Sequence, residues 1–266
     1  MQIDAALIIR IVIAIIAAVL FGNGSVVAFN RMNRDWFLDY DDSAGSGGSN
    51  GNGGILGSDS GKDIPKVLPK KLLEAEEAGR QRLPSTPWKY IFVAYFALCG
   101  LYLAIRGGSA TYEISVLCVL FIMLEMAIAD QLYQTVPDQL MMALAVSAIA
   151  FIGYHDKWYE PLLGALLGLG ISLVILLIGM VLFKTGSMGG ADIKFFTCIG
   201  LVTGRTGVVI IFVLTTLLFA VYSFIRIATK RGTIKDRNAM LPSAAAAVTI
   251  YMLFLFNVGD MLVIDL

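Results

Sequence analysis

Long uninterrupted apolar blocks, separated by short polar punctuation, run through most of this chain. A bilayer core is crossed by about 20 apolar residues in a helix. Measured with that ruler, the blocks fall near 4–22, 89–105, 112–129, 137–153, 160–183, 192–204, 207–228 and 240–262. The pattern predicts an all-α polytopic membrane protein of about eight transmembrane helices with one cytoplasmic loop insertion. Three parts follow: a first transmembrane helix at 1–22, a polar loop at 23–88, and a seven-helix membrane core at 89–266. The first block carries Asp4 and Arg10 and lacks a small-residue cleavage site, so it is expected to be a retained helix rather than a secretory signal.

The polar loop has two textures. Glycine, serine and asparagine near 43–61, densest in GSGGSNGNGG at Gly45–Gly54, bury no apolar area and predict a flexible linker. LPKKLLEAEEAGRQRL, at 68–83, mixes helix formers with both charge signs and predicts a short solvated helix at the membrane surface.

Composition agrees with the blocks. The 266 residues are 58% hydrophobic and 15% charged, and mean hydropathy is +0.78. Twenty basic side chains balance twenty acidic ones, so the charge gives no reason to expect a nucleic-acid partner. Position is more informative than net charge. With the N-terminus outside, sixteen Lys and Arg fall on the inner side, and only Arg10, Arg106, Lys157 and Arg205 on the outer. Excess inner positive charge sets orientation, which places both termini outside. Cys99, Cys118 and Cys198 lie inside apolar blocks without metal-ligand spacing, so they read as small core residues, and no metal site is expected.

Candidate chemistry gathers on the inner side. Asp130 ends the third block, Asp138 follows Pro137 at the start of the fourth, and MGGADIKFF places Asp192 behind Gly189 and Gly190 at the start of the short sixth. Ionisable groups at the edge of hydrocarbon are costly and tend to face water or the bundle interior. Two carboxyls held a few Å apart share a proton: one serves as the acid while the other activates water. The residues alone leave a simpler account open, in which Asp192 only caps its helix and Asp130 is an interfacial polar group. Asp138 has an ordinary task as a negative charge at a helix start. Lys194 either tunes a nearby carboxylate, contacts substrate, or snorkels to the interface. Glu125 points to a different face from Asp130 and is not assigned to catalysis. Gly164 and Gly168 predict close helix packing. His155 sits in a short outer loop, where Tyr154, Trp158 and Tyr159 suit an interfacial aromatic belt.

GGADIK resembles the G-x-G-D motif of membrane aspartyl proteases, and DQLYQTVPD, from Asp130 to Asp138, is similar to the second motif of type IV prepilin peptidases and the related preflagellin peptidases. The order of the motifs, with 62 positions from Asp130 to Asp192, strengthens the resemblance. FGNGSVVAFNR aligns Gly22 and Arg31 with a family segment after the first helix, and LPSAAAAVTI looks like the family's proline-containing start to the last helix. The resemblance implies Asp130 and Asp192 as catalytic residues, with Gly189, Gly190, Lys194, Pro137 and Asp138 binding substrate or shaping the site. It implies removal of the leader from prepilin or pseudopilin-like substrates at the cytoplasmic face of the cell membrane.

Two departures matter. Ala191 replaces a glycine of the motif, one small residue for another. Many bacterial members also carry two Cys pairs in the first cytoplasmic loop, linked to metal binding and to methylation of the product by S-adenosylmethionine. None occur between Asn23 and Trp88, and Val26 stands where the family has Asn. Proteolysis is therefore expected to need no cofactor and to proceed without N-methylation. Two rival readings use the same residues: a proton- or cation-coupled transporter with its carboxylates in the membrane, and a non-catalytic scaffold that binds prepilins.

Overall fold

A computed structural model of the chain describes residues 5–32, 36, 83–107, 109–183, 189–229 and 238–256. Every regular element among these residues is helical, as expected where lipid offers the backbone no hydrogen-bond partner. The elements are α1 (Ala5–Arg31), α2 (Ser85–Arg106), α3 (Ala110–Tyr133), α4 (Asp138–Ser147), α5 (Glu160–Phe183), α6 (Gly190–Ala228) and α7 (Leu241–Ile250). A 3-10 stretch, Ala148–Tyr154, continues α4, and a π-helical turn, Tyr251–Leu255, continues α7. The glycine-rich linker expected at 43–61 lies outside the described residues, as does all but Leu83 of the surface helix expected at 68–83.

Five of these helices, α1, α2, α3, α5 and α6, are long and apolar enough to cross a membrane. Eight such spans were expected, and three local features account for the difference. The fourth and eighth blocks form ten-residue α-helices extended only by the irregular turns. The sixth and seventh form one hydrogen-bonded element, α6, interrupted at Gly204. There φ is 71° and ψ is −173°, a backbone conformation that glycine adopts without a Cβ clash. The interruption reverses the chain. In a straight helix Phe196 and Phe212 would be about 24 Å apart, yet their ring centroids are 5.1 Å apart. Gly190–Thr203 and Arg205–Ala228 are thus two antiparallel rods.

The first helix also differs from expectation: it runs to Arg31 instead of stopping near residue 22. Gly22 and Gly24 look like breakers in the sequence, but Gly22 lies inside the helix where α1 meets α2, and a Cβ there would come 2.5 Å from the Val93 backbone. At the end of this pair, Asn30 brackets Leu83, its Nδ2 donating to the carbonyl and its Oδ1 accepting from the amide, both at 3.1 Å.

α3 occupies the centre. Val116, Leu120, Met126 and Ala129 are fully buried, in contact with a core that draws Phe96, Phe195, Ile199, Ile211, Ala244 and Met252 from the surrounding helices. Residues facing away from it, such as Ile105, Leu166, Val181 and Phe224, are exposed and apolar, the distribution suited to lipid contact. α5 packs along α6 on its small residues. A Cβ on Gly164 would meet the Gly200 carbonyl oxygen at 2.2 Å, and one on Gly168 would meet that of Phe196 at 2.1 Å. The predicted close packing at Gly164 and Gly168 is therefore present.

Candidate active site

Four helix ends meet at one end of the bundle. Asp130 lies in the last turn of α3, which closes when the Gln134 amide donates to the Asp130 carbonyl at 2.9 Å; Gln134 takes the left-handed conformation, with φ 52°. Pro137 is extended and starts α4 directly, which places Asp138 in its first turn. Gly189 precedes α6, whose first turn carries Asp192. α7 starts at Leu241 with Pro242 in its opening positions, where the ring costs no intrahelical bond.

Each aspartate is held by a main-chain amide. The Leu241 amide donates to Asp130 Oδ2 at 2.9 Å, so a carboxylate from α3 caps the start of α7, where helix amides lack partners and the dipole favours negative charge. The Gly189 amide donates to Asp192 Oδ2 at 3.2 Å, a local cap on α6 of the kind the simpler account of Asp192 anticipated. Cross-chain ties join these ends. Lys194 Nζ donates to both carboxylate oxygens of Asp138, at 2.8 and 2.9 Å, with both side chains nearly half exposed. Lys194 thus connects the start of α6 to the start of α4, and Asp138 opposes both a lysine and the helix dipole.

Helix register relates the start of α6 to its neighbours. Counting equally outward from Gly204, past the Phe196–Phe212 ring contact, brings Asp192 level with Thr216. α7 runs back along the second rod of α6: Arg226 Nη1 donates to the Asn238 side-chain oxygen, and Tyr251 reaches Gly207. Leu241, which holds Asp130, therefore lies toward the same end of the bundle as Asp192. On α5, the seam from Gly164 through Gly168 arrives one turn later at Ser172, opposite Asp192. Ser172 is fully buried and its hydroxyl has no hydrogen-bond partner among the described residues. Beyond this level α5 continues to Phe183, about 16 Å further at 1.5 Å per residue. It carries exposed Val174, Leu177, Ile178 and Val181, which form an apolar wall past the aspartates.

Sequence reasoning identified Asp130, Pro137, Asp138, Gly189, Gly190, Asp192 and Lys194, and the fold gathers all seven at this end. Among the described residues, a Cβ on Gly190 would meet nothing within 4 Å, and one on Gly189 would approach only Asp192. The Leu241 amide was missed. Its signal was Pro242, which marks a helix start with unbonded amides, but the partner is 111 residues away. Glu125 is buried in α3, and neither carboxyl oxygen meets a hydrogen-bond partner of good geometry among the described residues. His155 is at the far end, its Nε2 3.2 Å from the Val202 carbonyl oxygen and its ring beside Gly204.

Comparison with known proteins converges on the same stretch. Residues 114–224 match the type IV leader peptidase family, a segment that includes both aspartates and the reversal at Gly204. The prepilin leader peptidase/N-methyltransferase of Bacillus subtilis (strain 168) is 26% identical over 152 residues, covering 56% of this chain and 59% of that protein. No solved structure matches the chain. The resemblance carried by the GGADIK and DQLYQTVPD motifs is thus supported by independent comparison, in which residues 114–224 are similar to the type IV leader peptidase family.

Proposed function

We propose that the protein is a membrane aspartyl endopeptidase that removes the leader of prepilin- or pseudopilin-like substrates, with Asp130 and Asp192 as its catalytic pair. One observation carries the reading: two carboxylates far apart in the chain stand at one end of the bundle, each accepting a main-chain amide at a helix start, Asp130 from α7 and Asp192 from α6. One carboxylate removes a proton from water as it attacks the scissile carbonyl carbon, and the other donates a proton to the departing amine. The amides at Gly189 and Leu241 fix the carboxylates in place, so little reorganisation accompanies the proton transfers.

The site faces the cytoplasm, in keeping with sixteen of the twenty basic residues falling on that side of an eight-crossing topology with both termini outside. The two rods of α6, together with α4 and α7, make up the crossings beyond the four long helices α1, α2, α3 and α5. A substrate helix lying in the bilayer slides along the apolar wall of α5 and presents its leader junction at the level of the aspartates. Gly189 and Gly190 leave room for its main chain, and the Asp138–Lys194 pair shapes the rim. The product leaves unmethylated, because the loop between α1 and α2 carries no cysteine pair to support S-adenosylmethionine chemistry.

The test is cleavage of a prepilin-type substrate co-reconstituted in vesicles, with the product weighed by mass spectrometry, with and without S-adenosylmethionine. Wild-type protein should release the leader mass and add no methyl group. Asp130→Asn and Asp192→Asn should each abolish cleavage while the protein still inserts and elutes as a folded species. Cleavage near the wild-type rate by Asp192→Asn would overturn the assignment. If ion-driven uptake were lost in the same variant, the transporter reading would replace it.

A further inference from the structure

At the end of the bundle away from the aspartates, a cavity of about 110 Å³ opens between α2, α3 and the end of the 3-10 stretch. Arg106, Ser109, Tyr112, Glu113 and Tyr154 supply its polar wall. Glu113 is 3% exposed. Its Oε1 accepts from Arg10 Nε of α1 at 2.7 Å and also from Nη2 of the same guanidinium. Its Oε2 is buried without a partner among the described residues. A buried carboxylate oxygen left unpaired costs on the order of 1–3 kcal/mol, and more when charged, so the cavity calls for a donor.

The opposite wall calls for an acceptor. Arg106 donates Nη1 to the Leu253 carbonyl, one bond from a guanidinium that carries five N–H donors, and it is exposed at the mouth. Ser109 and Tyr154 share a hydroxyl hydrogen bond at 2.7 Å and close the side. Trp158 and Tyr159 are exposed at this same end, as befits a membrane interface.

We propose that this cavity binds a small zwitterion, with an ammonium donating to Glu113 Oε2 and a phosphate accepting from Arg106. At a membrane surface that chemistry is the phosphoethanolamine headgroup. Phosphocholine has the same charges but no N–H to give, and phosphatidylglycerol has the anion without the ammonium. The site thus discriminates by hydrogen-bond donation rather than by net charge. It is independent of the proteolytic reading, since none of its residues stands at the aspartate end.

The experiment is lipid retention by the full chain in mixed micelles doped equally with phosphatidylethanolamine, phosphatidylcholine and phosphatidylglycerol, read by native mass spectrometry. Wild-type protein should retain phosphatidylethanolamine about tenfold over the other two, the scale of one charge-assisted hydrogen bond. Glu113→Gln keeps an oxygen for Arg10 but turns the second acceptor into a donor, and should erase the preference. Arg106→Gln, which removes the guanidinium at the mouth together with its bond to the Leu253 carbonyl, should erase it independently. Displacement by soluble O-phosphoethanolamine but not by O-phosphocholine would carry the same conclusion with the headgroup alone as ligand. Equal retention of the three lipids, phosphatidylglycerol retained as well as phosphatidylethanolamine, or a preference that survives both substitutions would overturn the proposal.

Discussion

Gly168 offers the sharpest test of how α5 positions the aspartate end. A Cβ on Gly168 would stand 2.1 Å from the Phe196 carbonyl oxygen, and contacts under 3.0 Å essentially never occur, so the two helices must part by about 1 Å or α5 must rotate. Phe196 lies one helical turn after Asp192 in the same rod, so the shift acts on the rod that carries that carboxylate. Overpacking of this size costs about 1–3 kcal/mol, and a misplacement of about 1 Å at a reacting group lowers the rate by about a hundredfold. Gly168→Ala should therefore melt several degrees lower in detergent and cleave a prepilin-type substrate on the order of a hundredfold more slowly. Gly170 is the control, since it lies on the same helix and a Cβ there would meet nothing within 4 Å. Gly170→Ala should match or slightly exceed wild-type stability, because alanine restricts the unfolded chain more than glycine does. Equal melting temperatures and rates for the two variants would refute the claim that the α5–α6 seam sets the site.

Two further substitutions separate buried from exposed ion pairs. Arg10 and Glu113 have side chains only 18% and 4% exposed, so Arg10→Met, which strands the glutamate, should cost about 3–5 kcal/mol; a denaturation midpoint equal to wild type would contradict this. Asp138 and Lys194 are nearly half exposed, a situation in which a pair contributes about 0–1 kcal/mol. Asp138→Asn should accordingly cleave within a few-fold of wild type in the vesicle assay, and loss of activity as complete as in Asp192→Asn would move Asp138 into the catalytic pair.

Much of the architecture was legible because the bilayer imposes a ruler: the apolar blocks at 112–129 and 160–183 fall within α3 and α5. Errors arose where one residue type serves opposite ends. Glycine at 22 and 24 resembles a helix stop in sequence, yet Gly22 is a contact point that lets α1 continue, whereas Gly204, preceded by no stronger signal, reverses the chain. The difference lies in the neighbouring helix, and a single sequence does not reveal it. Long apolar helices number five where eight blocks were read because one helical element runs through a reversal that hydropathy reads as a gap, and irregular turns finish two blocks.

Site residues were legible wherever the signal was local. Asp192 behind two glycines and Asp138 behind a proline are helix starts readable within four positions, and both occur as read. Nonlocal partners were not. Lys194 offered three plausible roles, and its pairing with Asp138, 56 residues away, depends on how two helix starts meet. Asp130 gains its partner from a helix that begins 111 residues later. This asymmetry bears on how such a site is assembled. Neither aspartate owes its place to its own helix alone: one depends on α7 beginning at Leu241, the other on α5 packing at Gly168. Under the proposed function, the two carboxylates would therefore come into register only once the whole bundle has closed, which would tie cleavage to completed folding in the membrane.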